Sequence, residues 1–165
     1  MDISVRKQTL ADTDELERVY NYARGYMKRT GNPNQWLTHP DREELERDAA
    51  TGNGYVIECD GRICGAFAFF TEPDPTYSVI DGEWLNAEPY GTIHRVASDG
   101  TVRGLLGVMI DYCAAVIPNL RMDTHNDNKV MQHLLDKYGF KKCGTVYIID
   151  DFSDHSPRIA YQILK

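Results

Sequence analysis

The sequence predicts a single α+β domain, on three observations. Its 165 residues suit one hydrophobic core and leave no room for two full ones. Runs that alternate apolar and polar residues are interleaved with runs whose apolar residues recur every three or four positions. The dipeptide Asp60-Gly61 separates two strand-like runs, Tyr55 to Glu58 and Ile63 to Phe70, which marks an antiparallel hairpin. The order read along the chain is strand, two helices, three strands, helix, strand, helix, two strands.

Ile3 and Val5 alternate with polar residues as a first strand. Asp12, with Glu15 three positions on, makes a capping-box-like start to a helix whose inner face is Leu16, Val19, Tyr20, Ala23 and Met27. Residues 30–39 read as an irregular connection. Pro40 and the acidic turn Asp41, Glu43, Glu44 open a shorter helix that stops near Thr51 and Gly52. After the hairpin, residues 71–91 hold three prolines, five acids (Glu72, Asp74, Asp81, Glu83, Glu88) and no Lys or Arg, which predicts a long loop with a short edge strand around Tyr77 to Ile80. Tyr90 to Ala97 forms a strand that turns through Ser98-Asp99-Gly100-Thr101 into a helix with apolar positions 102, 105, 106, 109, 113 and 116, ended by Pro118. Leu120 to Thr124 is a strand, and Asn126-Asp127-Asn128 caps a helix with Val130, Met131, Leu134, Leu135 and Tyr138 inward and Gly139 at its end. Two last strands, Thr145 to Ile149 and Ile159 to Leu164, flank a polar loop containing Asp150, Asp151, Asp154 and Pro157.

Composition narrows the function. Apolar residues make up 42% and charged residues 26%, and no stretch approaches the roughly 18 apolar residues of a membrane span. Eighteen Lys and Arg against 25 Asp and Glu give a net charge of −7, which disfavours nucleic-acid and anionic-membrane partners. The opening MDISVRKQTL lacks a basic segment followed by an apolar run, so a cytoplasmic location is expected. Cys59, Cys64, Cys113 and Cys143 show neither a CxxC pair nor zinc-ligand spacing and are expected as buried thiols, with no metal bound.

A strand running through a Ser/Asp/Gly turn into a helix presents unpaired N–H groups and a positive dipole end, a grip for a pyrophosphate. That segment spans Ser98 to Leu106, with Gly104 allowing close approach and Arg103 adding charge; the alternative is a plain strand-to-helix connection.

Together with the element order, VASDGTVRG at 96–104 and NKVMQHLLDKYGF at 128–140 resemble the GNAT superfamily of N-acetyltransferases, over essentially all 165 residues. The resemblance implies a mixed, mostly antiparallel twisted sheet with helices on both faces, splayed where the strand at 90–97 leaves that at 120–124, with acyl-CoA in the gap. The family's phosphate loop overlays from Thr101: Gly104 matches, whereas Thr101 replaces Gln or Arg and Leu106 replaces a small residue. By resemblance, acetyl-CoA meets Val96, Ala97, Ser98, Thr101, Val102, Arg103, Gly104, Leu105 and Leu106, its pantetheine arm meets Asn128, and an amide near Val96 polarises the carbonyl. Where the family often has a tyrosine that protonates the departing thiolate, this chain has Leu135. Tyr138 is then either its substitute or a tyrosine packed on the sheet.

The family often places a general base on the strand before the loop. Here that is His94, its imidazole able to accept a proton, or else a structural histidine; His125 is the second candidate. The acidic loop with Glu83 and Trp84, and the Tyr22, Tyr26 and Trp36 region, are expected to border an acceptor pocket selective for a cation, against the alternative of a solvated loop anchored by Trp84. The activity implied is transfer of an acetyl group from acetyl-CoA to a primary amine of a small molecule or peptide. A non-catalytic acyl-CoA sensor and a protein-interaction domain without ligand are the other readings, and pairing of two copies stays open.

Overall fold

The computed structural model describes residues 1–36, 40–149 and 155–165. Asp150, Asp151 and Asp154 of the expected polar loop, and residues 37–39 of the connection after the first helix, lie outside the described residues. The elements are β1 (Ile3–Lys7), α1 (Thr13–Arg29), α2 (Arg42–Thr51), β2 (Gly54–Cys59), β3 (Arg62–Phe70), β4 (Asp81–Gly82), β5 (Gly91–Ser98), α3 (Leu105–Val116), β6 (Asn119–Thr124), α4 (Lys129–Lys137), β7 (Lys141–Tyr147) and β8 (Pro157–Leu164). They build one sheet in the order β1-β2-β3-β5-β6-β8-β7-β4. Among the described strands every pairing is antiparallel except that of β5 with β6. None of the described helices is long and apolar enough to cross a membrane.

Period-two alternation along the strands sends successive residues to opposite faces and so makes two cores. On one face, Leu16, Val19, Tyr20 and Ala23 of α1 and Leu45 of α2 bury Val56, Ala66 and Ala97. On the other, Leu105, Leu106, Met109, Ile110 and Cys113 of α3 and Leu135 of α4 cover Ile57, Phe67, Phe69, Ile93, Leu120, Met122 and Tyr161. Burial pushes the Cys113 thiol up to about 12, leaving it a small hydrophobe without thiolate reactivity.

Several boundaries differ from expectation for physical reasons. The capping box at the head of α1 joins Thr9 to Asp12, not Asp12 to Glu15: a 3-10 turn, Leu10–Asp12, comes first, and Asp12 accepts from the Thr9 amide and from Arg6. In the 71–91 loop Tyr77 lies in a 3-10 turn, Pro75–Ser78, and the edge strand is Asp81–Gly82, paired to Thr145 and Gly144 of β7. β7 begins at Lys141, four residues ahead of the expected Thr145. The largest correction is chemical. Cys59 and Cys64, expected as thiols, form a disulfide, because β3 carries an extra residue at Cys64 where the register with β2 shifts, turning Cys64 toward Cys59. Cys113 and Cys143 are free.

Candidate active site

Between the last turn of β5 and the first turn of α3 the chain is held by one buried carboxylate. Asp99 accepts from the Thr101 amide at 3.0 Å, the Thr101 hydroxyl at 2.5 Å and Arg18 Nη1 at 3.0 Å, while Arg18 Nη2 bonds the Ile63 carbonyl. Desolvation pushes the Asp99 carboxyl up, but the Thr101 bonds and Arg18 outweigh it and hold it below the usual range. The loop then reaches Gly104, which takes φ +80 as the helix N-cap, a conformation glycine adopts without penalty. A Cβ at Gly104 would meet no atom within 4 Å, because the residue faces an open cavity. Val108 makes the bond to the Gly104 carbonyl, so the amides of Leu105, Leu106 and Gly107 have no carbonyl partner within the helix and stand at its positive end. Arg103 and Lys137 line the same cavity, about 570 Å³ in volume, and supply the cationic charge a pyrophosphate needs.

Beside this turn the sheet is broken. β5 and β6 pair only at Gly91 with Leu120 and Thr92 with Arg121, and diverge beyond, as expected. On its other side β5 carries a bulge, for Ala66 pairs with Ala97 and Ala68 with His94, leaving Arg95 and Val96 opposite Phe67 alone. Arg95 takes φ +50, rare for a residue with a side chain, and neighbours hold it there. Tyr20 donates to the Arg95 carbonyl at 2.7 Å, and the guanidinium bonds both oxygens of Asp48 and lies 3.4 Å from Glu44. α1 and α2 thus clamp the bulge that puts Val96 in the gap.

A second cavity, about 610 Å³, adjoins the first, and Val96, Asn128, Met27 and Met131 line both. Here His94 Nε2 lies 2.7 Å from Asp74 Oδ2, and its Nδ1 lies 3.9 Å from Asp123 Oδ2, which accepts from the Tyr77 hydroxyl at 2.6 Å. An ionised carboxylate only accepts, so Nε2 donates its proton to Asp74 and Nδ1 faces Asp123. Burial raises the Asp74 carboxyl, yet the bond to His94 and its charge hold it below the usual range. Burial and the neighbouring Asp123 push Tyr77 well above the ordinary phenol value, so it stays a donor.

Val96, Ala97, Ser98, Val102, Arg103, Gly104, Leu105, Leu106 and Asn128 all line the first cavity, whereas Thr101 does not, its amide and hydroxyl both being spent on Asp99. The Asn128 side chain accepts from the Met131 amide as the cap of α4 and donates to Gln35, so it joins α4 to the segment after α1. His94 and Trp36 line the second cavity. His125 lines neither: its Nδ1 accepts from the Asp127 amide in the turn before α4, and burial with Arg158 nearby lowers its pKa. Tyr138 lines the first cavity, but its hydroxyl stands over Gly107 in the first turn of α3, and a rise of about 1.5 Å per residue sets it roughly 15 Å along α4 from Asn128. Leu135 is buried in the core beneath α4.

The expected acceptor border is corrected in three places. Trp84 stacks on Arg121, 4.1 Å from its ring, and Tyr90 closes the other side at 3.9 Å, so Trp84 holds the loop to the sheet rather than lining a pocket. Glu83 is exposed, and of the five loop acids only Asp74 reaches the second cavity. Tyr22 and Tyr26 line the first cavity, Tyr22 lying against Gly100, where a Cβ would collide with its hydroxyl. Asp123 and the Arg95 clamp were missed, since each depends on partners distant in sequence, as does the tie from Asp99 to Arg18. Among the described residues no group of three His, Cys, Asp or Glu could hold a metal ion.

No protein-family model and no curated protein matches the chain. Solved structures do. A GNAT-family acetyltransferase from Streptococcus agalactiae superposes with a TM-score of 0.83 and 29% identity, over 99% of this chain and 95% of that one. A GNAT-family acetyltransferase from Listeria monocytogenes shares the fold at a TM-score of 0.70 and 20% identity, over 97% and 93% of the two chains. A ribosomal-protein-alanine N-acetyltransferase from Brucella melitensis shares it at 0.61 and 20%, over 98% and 99%. The likeness runs along nearly the whole length of both chains, and this chain belongs to the GNAT superfamily.

Proposed function

We propose that the protein transfers an acetyl group from acetyl-CoA to a primary amine of a small molecule or peptide, acting in the cytoplasm. The observation that carries this reading is the junction of the two cavities at Val96 and Asn128, with the Asp74–His94 pair on the acceptor side. The pyrophosphate of acetyl-CoA rests on the amides of Leu105, Leu106 and Gly107 with Arg103 and Lys137 beside it, and the backbone at Val96 polarises the thioester carbonyl. An ammonium gives a proton to His94 Nδ1, and the freed electron pair attacks the carbonyl carbon. The C–S bond breaks as the carbonyl re-forms, and the second proton of the bonded nitrogen passes to the departing thiolate. This route needs no tyrosine at the thioester, in keeping with a buried Leu135 and a distant Tyr138.

The lack of a tyrosine acid also favours a second reading, an acyl-CoA sensor that binds without turnover. Thiol release from acetyl-CoA with a panel of amines separates the two. His94→Gln is expected to lower the rate by about 10²–10⁴ with coenzyme A affinity retained. Turnover within about fivefold of the unaltered chain would remove His94 from the mechanism.

A further inference from the structure

The disulfide of the β2–β3 hairpin adds little to folding. Cys59 and Cys64 lie five positions apart, and β2 already pairs with β3 from Gly54 to Cys59. A bond that closes so short a loop constrains the unfolded chain least. In the reducing compartment proposed above, disulfides are as a rule transient and regulatory.

What the bond does hold is the bulge. Cys64 falls between the Ile57–Gly65 and Glu58–Ile63 pairs without a partner in the ladder, and the bond to Cys59 fixes it to β2. The segment so fixed grips Asp99. The Cys64 carbonyl accepts from the Asp99 amide at 3.0 Å, and the Ile63 carbonyl accepts at 2.8 Å from Arg18, which also bonds the Asp99 carboxylate. Arg62 Nη2 lies 3.9 Å from that same carboxylate. Next along, Gly65 pairs with Ser98, and a Cβ there would meet Leu105 Cδ1, at the start of α3, at 3.0 Å. Residues 62–65 thus join the disulfide to both ends of the turn ahead of α3. Cys59 is 8% exposed and Cys64 1%, and the exposed Asp60-Gly61 adjoins Cys59, so an incoming thiolate meets the Cys59 sulfur first. Burial pushes the thiols of Cys113 and Cys143 up, which keeps them out of exchange.

We propose that Cys59 and Cys64 form a thiol–disulfide switch on the turn ahead of α3, and through it on coenzyme A. The oxidised pair holds residues 62–65 against Asp99 and the turn in its binding shape, and the reduced pair releases both. A dithiol reductant supplies the two electrons. One of its sulfurs, as thiolate, attacks Cys59 Sγ; the S–S bond breaks, and Cys64 leaves with the electron pair and takes a proton. The second sulfur of the reductant then attacks the mixed disulfide, Cys59 leaves as a thiol, and the reductant ends as its own cyclic disulfide. Control of coenzyme A rests on the acetyl-CoA reading, whereas control of the turn does not.

The experiment compares the full chain as the disulfide, after reduction by dithiothreitol and desalting under argon, and after reoxidation by oxidised glutathione. Two quantities are read: amide hydrogen exchange over residues 96–106, and calorimetric affinity for acetyl-CoA, whose sulfur is blocked and cannot itself reduce the bond. Reduction is expected to speed the exchange and to weaken acetyl-CoA about tenfold, a usual size of coupling between two sites. Helical circular dichroism should be retained, and reoxidation should reverse both changes. The double variant Cys59→Ser, Cys64→Ser is expected to behave as the reduced chain and to ignore dithiothreitol; should it not fold, Cys59→Ala, which keeps the buried Cys64 sulfur, takes its place. Exchange unchanged by reduction, or a reduced chain without helical circular dichroism, overturns the switch. Redox-dependent exchange without acetyl-CoA binding in either state removes the acetyl-CoA reading and leaves the switch on the turn standing; acetyl-CoA binding and exchange both indifferent to reduction do the reverse.

Discussion

Removing the Asp99 carboxylate releases three hydrogen bonds at once and frees the loop ahead of α3. Asp99→Ala is expected to cost about 1–3 kcal/mol of stability and to weaken coenzyme A about tenfold, the equivalent of 1.4 kcal/mol. Calorimetry checks the affinity and urea unfolding the stability; an unchanged affinity would mean the loop needs no tie to α1. At this scale the sequence showed what local chemistry shows. The sequence singled out His94 because a histidine on the strand before a turn into a helix has few rivals, and Gly104 because such a turn favours glycine; the structure puts His94 on the wall of the second cavity and Gly104 on that of the first. Asp123 was not legible: its meaning depends on Tyr77, 46 residues earlier, and on a parallel strand pairing that no local pattern encodes. Trp84 misled for a similar reason, since an aromatic residue in an acidic loop suggests a pocket until Arg121 is seen beneath its ring.

Helices and the hairpin were legible as elements because their signals lie within a few residues of one another. Asp41 accepts from the Glu44 amide, Gly52 closes α2 in the left-handed conformation, and Asp60-Gly61 turns the hairpin, all as their residue types require. The bulge in β5 was not, for it sits at an arginine and is imposed from outside by two helices. Its clamp is therefore the element whose loss should be felt most. Arg95→Ala strands the Asp48 carboxylate, 9% exposed, without its partner, and breaking a buried pair in this way costs about 3–5 kcal/mol. Chemical denaturation measures that cost, and a loss below about 1 kcal/mol, the scale of an exposed pair, would show that Tyr20 alone maintains the bulge.

Across the whole molecule, three carboxylates share one electrostatic direction. Asp12 is drawn below the usual range chiefly by its bond to Arg6, and Asp74 and Asp99 by His94 and by Thr101 with Arg18, against the opposing push of burial. A carboxyl with a lower pKa folded than unfolded adds stability that is complete above the unfolded value, about 3.9 for Asp, and is lost as pH falls through the folded one. Melting temperature should therefore hold from neutrality to about pH 5 and drop steeply below about pH 4, and the drop should shrink in Asp12→Asn. A flat melting curve between pH 5 and pH 3 would contradict these pairings. The two cavities that adjoin at Val96 and Asn128 bear on the order of events, because each has its own lining and neither must be emptied before the other fills. On the proposed function both reactants would sit in the protein together, and acetyl would pass from one to the other without a resting stop on a side chain. Initial-rate lines at several fixed amine concentrations should then intersect instead of running parallel, and radiolabelled acetyl-CoA with no amine present should leave no label on the protein.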